Sequence, residues 1–207
     1  MLSVTDLELR VGARLLMDGV TFKVDRGDKV GLVGRNGAGK TTLTKVLAGG
    51  GQPTGGHVTR RGSVGYLPQD PKVEDMDQTA RDRILSARGL DDVVRRLRLA
   101  EEQMGSDDPT VREKAMNRYS TADAELHAAG GYAAEAEAAQ IAASLGIEER
   151  LLSQPLKTLS GGQRRRVELA RILFAASDGG SQSATTLLLD EPTTHLDADS
   201  ITWLRSF

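Results

Sequence analysis

The chain has 207 residues, 29 acidic against 27 basic side chains, and no cysteine. That length allows one sizeable core, the near-neutral balance excludes an overall basic field for a nucleic acid or an anionic membrane, and the missing cysteines exclude a disulfide framework. No stretch approaches the ~20 apolar residues of a membrane helix and the N-terminus has no apolar signal core, so the cytoplasm is the expected compartment.

In chain order, residues 4–11 alternate as a strand through Val4, Leu7, Leu9 and Val11, and 20–24 alternate through Val20, Phe22 and Val24. Arg26, Gly27 and Asp28 form a turn into the apolar run Lys29, Val30, Gly31, Leu32, Val33, which reads as a strand. Gly34, Arg35, Asn36, Gly37, Ala38, Gly39, Lys40, Thr41 and Thr42 follow and fit the pattern G-x-x-x-x-G-K-[ST]. Leu43, Val46 and Leu47 then mark one face of a helix that Gly49, Gly50 and Gly51 stop. Two short strands, 57–60 and 63–67, flank Arg61 and Gly62, and Pro68 leaves Gln69 on a loop.

From about 75 to 152 the charges become dense and helical periodicity takes over. Ile84, Leu85, Val93, Val94, Leu97 and Leu99 mark one helical stretch, Asp107, Asp108 and Pro109 a helix start, and the alanine-rich run 132–145 another helix, set off by Gly130 and Gly131. Leu159, Ser160, Gly161, Gly162 and Gln163 open an amphipathic helix carrying Val167, Leu169, Ile172 and Leu173. A polar Gly/Ser loop over 177–183 precedes Thr185 to Leu189, whose composition predicts a buried parallel strand ending in Asp190, Glu191 and Pro192. A last helix starts near Asp199 and runs to Phe207 with neither cap nor stop signal, which reads as a cut.

The chemistry follows from these placements. A strand, a glycine loop and a helix N-terminus aim backbone N–H groups and a positive dipole end at one point, the requirement for holding a phosphate chain. Gly34, Gly37 and Gly39 allow close approach, Lys40 would reach the β- and γ-phosphates, and the Thr41 hydroxyl would bind Mg²⁺. At the carboxyl edge of the sheet Asp190 would hold Mg²⁺, Glu191 would deprotonate an attacking water, and Gln69 would bridge metal and water. Ser160 and the amides of Gly161 and Gly162 offer either a second anion site or a plain helix cap. One chain has little use for two phosphate sites, whereas two domains facing head to tail would each complete the other's.

This ordered set, with Leu196 and Asp197, resembles the nucleotide-binding domain of ATP-binding-cassette (ABC) proteins. The resemblance implies an α/β fold of P-loop NTPase type: a mainly parallel core sheet, an antiparallel β subdomain and an inserted helical subdomain. It divides the chain into 1–74 (core and β subdomain), 75–158 (helical subdomain, with a possible arm at about 88–130) and 159–207 (the rest of the core). It implies ATP and Mg²⁺ as ligands, Glu191 as catalytic base, and Ser160, Gly161, Gly162 and Gln163 as contacts to the γ-phosphate held by an opposite cassette. Asp190, Glu191, Pro192, Thr193, Thr194, His195, Leu196 and Asp197 resemble the D-E-P-T-N-H-L-D of the F subfamily, and Gly130, Gly131, Tyr132 and Glu135 its G-G-Y-x-x-E. Those are soluble proteins with two cassettes that act on ribosomes.

Three departures stand out: Thr194 replaces an asparagine, Val11 stands where an aromatic ring often stacks on adenine, and the strand and switch histidine that follow the last helix are absent, as is a second cassette. The leading reading is the first cassette of a ribosome-acting ATPase, in translation or antibiotic resistance, with ribosomal RNA as partner. The ATPase subunit of a membrane transporter and an ATP-gated clamp with little hydrolysis are the alternatives. Arg95, Arg96, Arg98, Arg112, Lys114 and Arg118, interleaved with acidic residues, form either an RNA-facing stripe or a salt-bridged solvated face; Arg164, Arg165 and Arg166 are a second basic cluster.

Overall fold

A computed structural model describes residues 1–69, 75–177 and 185–207. The chain divides into two compact units, Met1–Pro71 with Ala176–Pro192, and Lys72–Ala175 with Thr193–Phe207.

In the first unit, β1 (Leu2–Val11) pairs antiparallel with β2 (Arg14–Val24) on one side and with β3 (Gly55–Arg60) on the other. β2 begins earlier than its alternation suggests, because the residues Gly12 and Ala13 suffice to turn the chain and Val11 lies opposite Arg14. The buried positions of β1 change parity, Leu2 and Val4 giving way to Leu7 and Leu9. The polar pair Thr5 and Asp6 absorbs the extra residue as a bulge, with Asp6 at φ 55 and its N–H donated to Thr21 Oγ1 at 2.9 Å. Gly56 closes in on that bulge: a Cβ there would lie 2.2 Å from the Asp6 carbonyl oxygen.

Helix α1 (Lys40–Leu47) seals this sheet with Leu43, Val46 and Leu47 against Leu2, Val4, Leu7 and Leu9. Arg60 of β3 donates to the Val46 and Leu47 carbonyls, satisfying the end of α1. β4 (Val64–Leu67) and β5 (Thr186–Leu189) form a parallel pair, and Leu188 packs on the same core.

Two expectations fail here for one reason. Residues 29–33 lie in no strand, with Val30 68% and Val33 90% exposed, and β5 is half-buried along its length rather than buried. An apolar run becomes a covered strand only with hydrogen-bonding neighbours. Among the described residues no strand pairs with 29–33, and β5 pairs with β4 alone.

The second unit is helical: α2 (Ala80–Leu85), α3 (Asp91–Met104), α4 (Pro109–Ala128), α5 (Gly131–Ser144), α6 (Glu149–Leu152), α7 (Gly161–Ala176) and α8 (Ala198–Ser206). The single stretch expected over 84–99 is broken by a 3-10 turn at Ser86–Arg88 and by Gly89 at φ 69, so Ile84 and Leu85 belong to α2 and Leu99 faces solvent. Asp108 caps α4 through Thr110 N–H with Pro109 in the first turn, and Asp197 caps α8 through Ser200 N–H. Between α4 and α5, Gly130 turns at φ 64, and a Cβ on Gly131 would sit 2.0 Å from Leu126 Cδ1.

Polar side chains in this unit are spent on one another. Glu168, almost wholly buried, accepts from Arg83 at 2.5 Å and Arg171 at 3.0 Å. The Arg88 guanidinium lies 3.7 Å from the Phe174 ring centroid and pairs with Glu137. Of the two readings of the arginine stripe, ion pairing is seen along α3: Arg95 pairs with Asp92, Arg96 with Asp92 and Glu125, and Arg98 with Asp82 and Glu135, while Arg112 bonds to the Ser106 and Asp107 carbonyls and Arg118 to Gln103. In the second basic cluster, Arg164 donates to the Leu159 carbonyl and Arg166 to the Gly146 carbonyl. The polar loop expected at 177–183 lies, from 178 on, outside the described residues.

Candidate functional site

The first unit holds a cavity of about 440 Å³ lined by Val11, Arg14, Leu16, Asn36, Gly37, Gly39, Lys40, Thr41, Thr42, Gln69, Asp190 and Glu191. Each element delivers its share for a local reason. Gly37 and Gly39 take φ 76 and 95, a left-handed path open to glycine, which folds the loop back onto the start of α1. A Cβ on Gly39 would come 3.1 Å from Leu16 Cδ1, so the β1–β2 hairpin is seated against the loop.

Gly34, Arg35 and Ala38 shape the loop without lining the cavity: Ala38 N–H closes a turn on the Arg35 carbonyl, and Lys40 Nζ donates to the Gly34 carbonyl at 2.7 Å and the Arg35 carbonyl at 3.0 Å. Those bonds tie the ammonium to the loop backbone, and Lys40, Thr41 and Thr42 all line the cavity. The pairing of β4 with β5 carries on as Asp190 N–H donates to the Leu67 carbonyl at 3.0 Å, which fixes Asp190 and Glu191 at the sheet end, with Gln69 following β4. Asp190 is buried. Burial, and then the Asp190 charge, pushes the neighbouring Tyr66 phenol above its ordinary value. Glu191 sits at φ 49, a conformation that costs a non-glycine residue roughly 1–3 kcal/mol and is found at functional positions.

Chemically, the Lys40 ammonium, the Arg14 guanidinium, two carboxylates, two hydroxyls and the amide side chains of Asn36 and Gln69 share a single cavity. Thr41, Gln69 and Asp190 contribute hard oxygen donors, which suit Mg²⁺ arriving with a phosphate chain. A phosphate-binding ATPase site is the class these groups define.

Ser160, Gly161, Gly162 and Gln163 belong to the second unit, where they open α7. Ser160 N–H donates to Gln163 Oε1 at 2.8 Å and Gln163 N–H to Ser160 Oγ at 3.2 Å. This reciprocal pair is a capping box, so the capping reading holds in this structure and the Ser160 hydroxyl is already engaged. His195, at φ 70, packs over Gly162, where a Cβ would meet its Cβ and Cγ at 3.3 Å. Sequence reasoning missed Arg14, Leu16 and this histidine contact. The signal for Arg14 was its place three residues beyond Val11, across the turn at Gly12 and Ala13.

The family model described as ABC transporter matches residues 17–194, and the chain belongs to that family of ATPase domains. Among relatives, the uncharacterized ABC transporter ATP-binding protein YfmR of Bacillus subtilis is 34% identical over all of this chain and 31% of its own length. The energy-dependent translational throttle protein EttA of Mycobacterium tuberculosis is 33% identical over 94% of this chain and 33% of its own. The chain therefore spans about a third of the length of these relatives. A solved ATP-binding subunit of an ABC transporter superposes on the whole chain and 72% of itself with TM-score 0.66 at 24% identity, a likeness of fold. Among the described residues no helix is long and apolar enough to cross a membrane.

Proposed function

We propose that this cassette binds and hydrolyses ATP within a cytoplasmic, F-subfamily protein that acts on the ribosome. The observation that carries the subfamily reading is the run from Asp190 to Asp197 together with Gly130, Gly131, Tyr132 and Glu135, supported by the likeness to the translational throttle protein. In the structure that second group has a fold role: Gly131 makes room for Leu126, Tyr132 donates to Asp123, and Glu135 receives Arg98.

In the proposed reaction the amides from Gly37 to Thr42 and the Lys40 ammonium hold the β- and γ-phosphates, Lys40 exchanging its bonds to the Gly34 and Arg35 carbonyls for phosphate oxygens. Thr41, Gln69 and Asp190 hold Mg²⁺, which when bound neutralises charge on the phosphates. Glu191 takes the proton of the attacking water as general base, a role worth ~10²–10⁴ in rate. A second cassette, facing head to tail, supplies its own Ser160, Gly161, Gly162 and Gln163 equivalents to the γ-phosphate, so a lone copy turns ATP over slowly.

A transporter ATPase is the second reading. It is favoured by one observation: the arginines of α3 are paired with acidic neighbours rather than left for RNA phosphates. Co-sedimentation of the protein carrying Glu191→Gln, with ATP and either ribosomes or membranes, separates the two. Retention by ribosomes is expected; retention by membranes alone would overturn the ribosomal reading.

A further inference from the structure

We infer that Arg14 is a specificity-determining residue of the nucleotide cavity and that it favours 6-oxopurine nucleotides such as GTP over ATP. The inference rests on the nucleotide reading of the cavity and not on the ribosomal one.

Val11 and Arg14 are direct partners across the Gly12–Ala13 turn, and partners in an antiparallel pair project to the same face. Both line the cavity, as does Leu16, which abuts the phosphate loop at Gly39. At ~3.3 Å per strand residue, Arg14 lies about 7 Å along the strand from that contact. The phosphates belong at Gly37 to Thr42, so the hairpin tip bounds the end of the cavity left for the base.

Val11 has no ring with which to stack. Arg14 has a planar guanidinium that stacks on an aromatic base, and a fixed fork of donors with no acceptor. Guanine presents two acceptors, O6 and N7, on one edge and can satisfy that fork twice. Adenine presents N7 beside the donor N6–H₂, so one arm of the fork meets another donor. Among the described residues the Arg14 side chain has no ion pair or hydrogen bond, so engaging a base breaks none of those.

The test is calorimetric titration of the protein with ATP and with GTP, each with Mg²⁺, for wild type, Arg14→Ala and Arg14→Lys. Arg14 is exposed, so neither substitution opens the core. Wild type is expected to bind GTP at least as tightly as ATP. Both variants are expected to lose GTP affinity about tenfold more than ATP affinity, within the range of one bidentate base contact. Arg14→Lys keeps the charge, so its loss of preference isolates the fork from the electrostatic field. A wild-type preference for ATP, or variants that weaken both nucleotides equally as a phosphate contact would, overturns the inference while leaving the nucleotide site standing. If neither nucleotide binds, the inference and the nucleotide reading of the cavity both fall.

Discussion

The two units solve the problem of their polar groups in opposite ways. In the helical unit the buried and half-buried charges close on one another: Glu168 between Arg83 and Arg171, Arg88 between Glu137 and Phe174, Arg98 between Asp82 and Glu135. In the unit with the phosphate loop a small apolar core carries the fold, while Lys40, Thr41, Thr42, Gln69, Asp190 and Glu191 are turned toward one cavity. Charges that meet internally rigidify a scaffold; charges converging on a space are arranged for something that enters it. The contrast predicts that polar substitutions in the helical unit act on stability, and those around the cavity on ligand affinity.

Removing the hub of the helical network has the largest expected effect on stability. The Glu168 carboxylate is 4% exposed, and Glu168→Ala would leave Arg83 and Arg171 without it. Because those arginines keep partial access to water, the expected loss is about 2–3 kcal/mol rather than the ~3–5 kcal/mol of a fully buried pair. Urea unfolding reads it as a lower midpoint at unchanged slope. An unchanged midpoint would mean the network is decoration.

A smaller effect is expected at the start of α7. Ser160→Ala removes the acceptor for the Gln163 N–H and should cost about 1 kcal/mol, read as a fall in melting temperature of the protein without nucleotide. If the temperature does not move, the capping box contributes nothing to the free protein.

The smallest effect is a pH dependence. The Tyr132 phenol is pushed up to about 12, first by its hydrogen bond to Asp123, then by burial and by the charge of that carboxylate. The bond requires the protonated phenol. Its contribution is therefore complete below the ordinary tyrosine value of 10.0 and is lost as pH climbs from there to about 12. Comparing urea midpoints of wild type and Tyr132→Phe over that window should show the gap between them closing toward the alkaline end. A gap constant with pH would contradict the assignment.

How far the sequence alone reaches depends on the range of the interaction. The phosphate loop and its helix were readable because glycines, lysine and the spacing of Leu43, Val46 and Leu47 are local features. Capping at Ser160 and Asp108 was readable for the same reason. The apolar run at 29–33 carries the composition of a strand, but pairing is a long-range fact, and composition cannot say whether a neighbour is there. The arginines of α3 leave a stripe and a salt-bridged face both open in the sequence, because Asp82, Glu125 and Glu135, which pair with Arg96 and Arg98, come from three other helices. Gly131 was read as a separator, whereas its reason, the Leu126 side chain, appears only once α4 and α5 are folded together. Arg14 went unseen until the hairpin register set it opposite Val11.

The division of labour between the units is tested most directly at Lys40. Calorimetric titration with ATP and Mg²⁺, paired with thermal melts, should be run on wild type and Lys40→Ala. The substituted protein is expected to melt within a few degrees of wild type in the absence of nucleotide. Its affinity should fall by about a hundredfold, roughly 2.7 kcal/mol, and its stabilisation by ATP should fall with it. Near-wild-type affinity in Lys40→Ala, or a loss of folding large enough to account for the lost binding, would contradict the account.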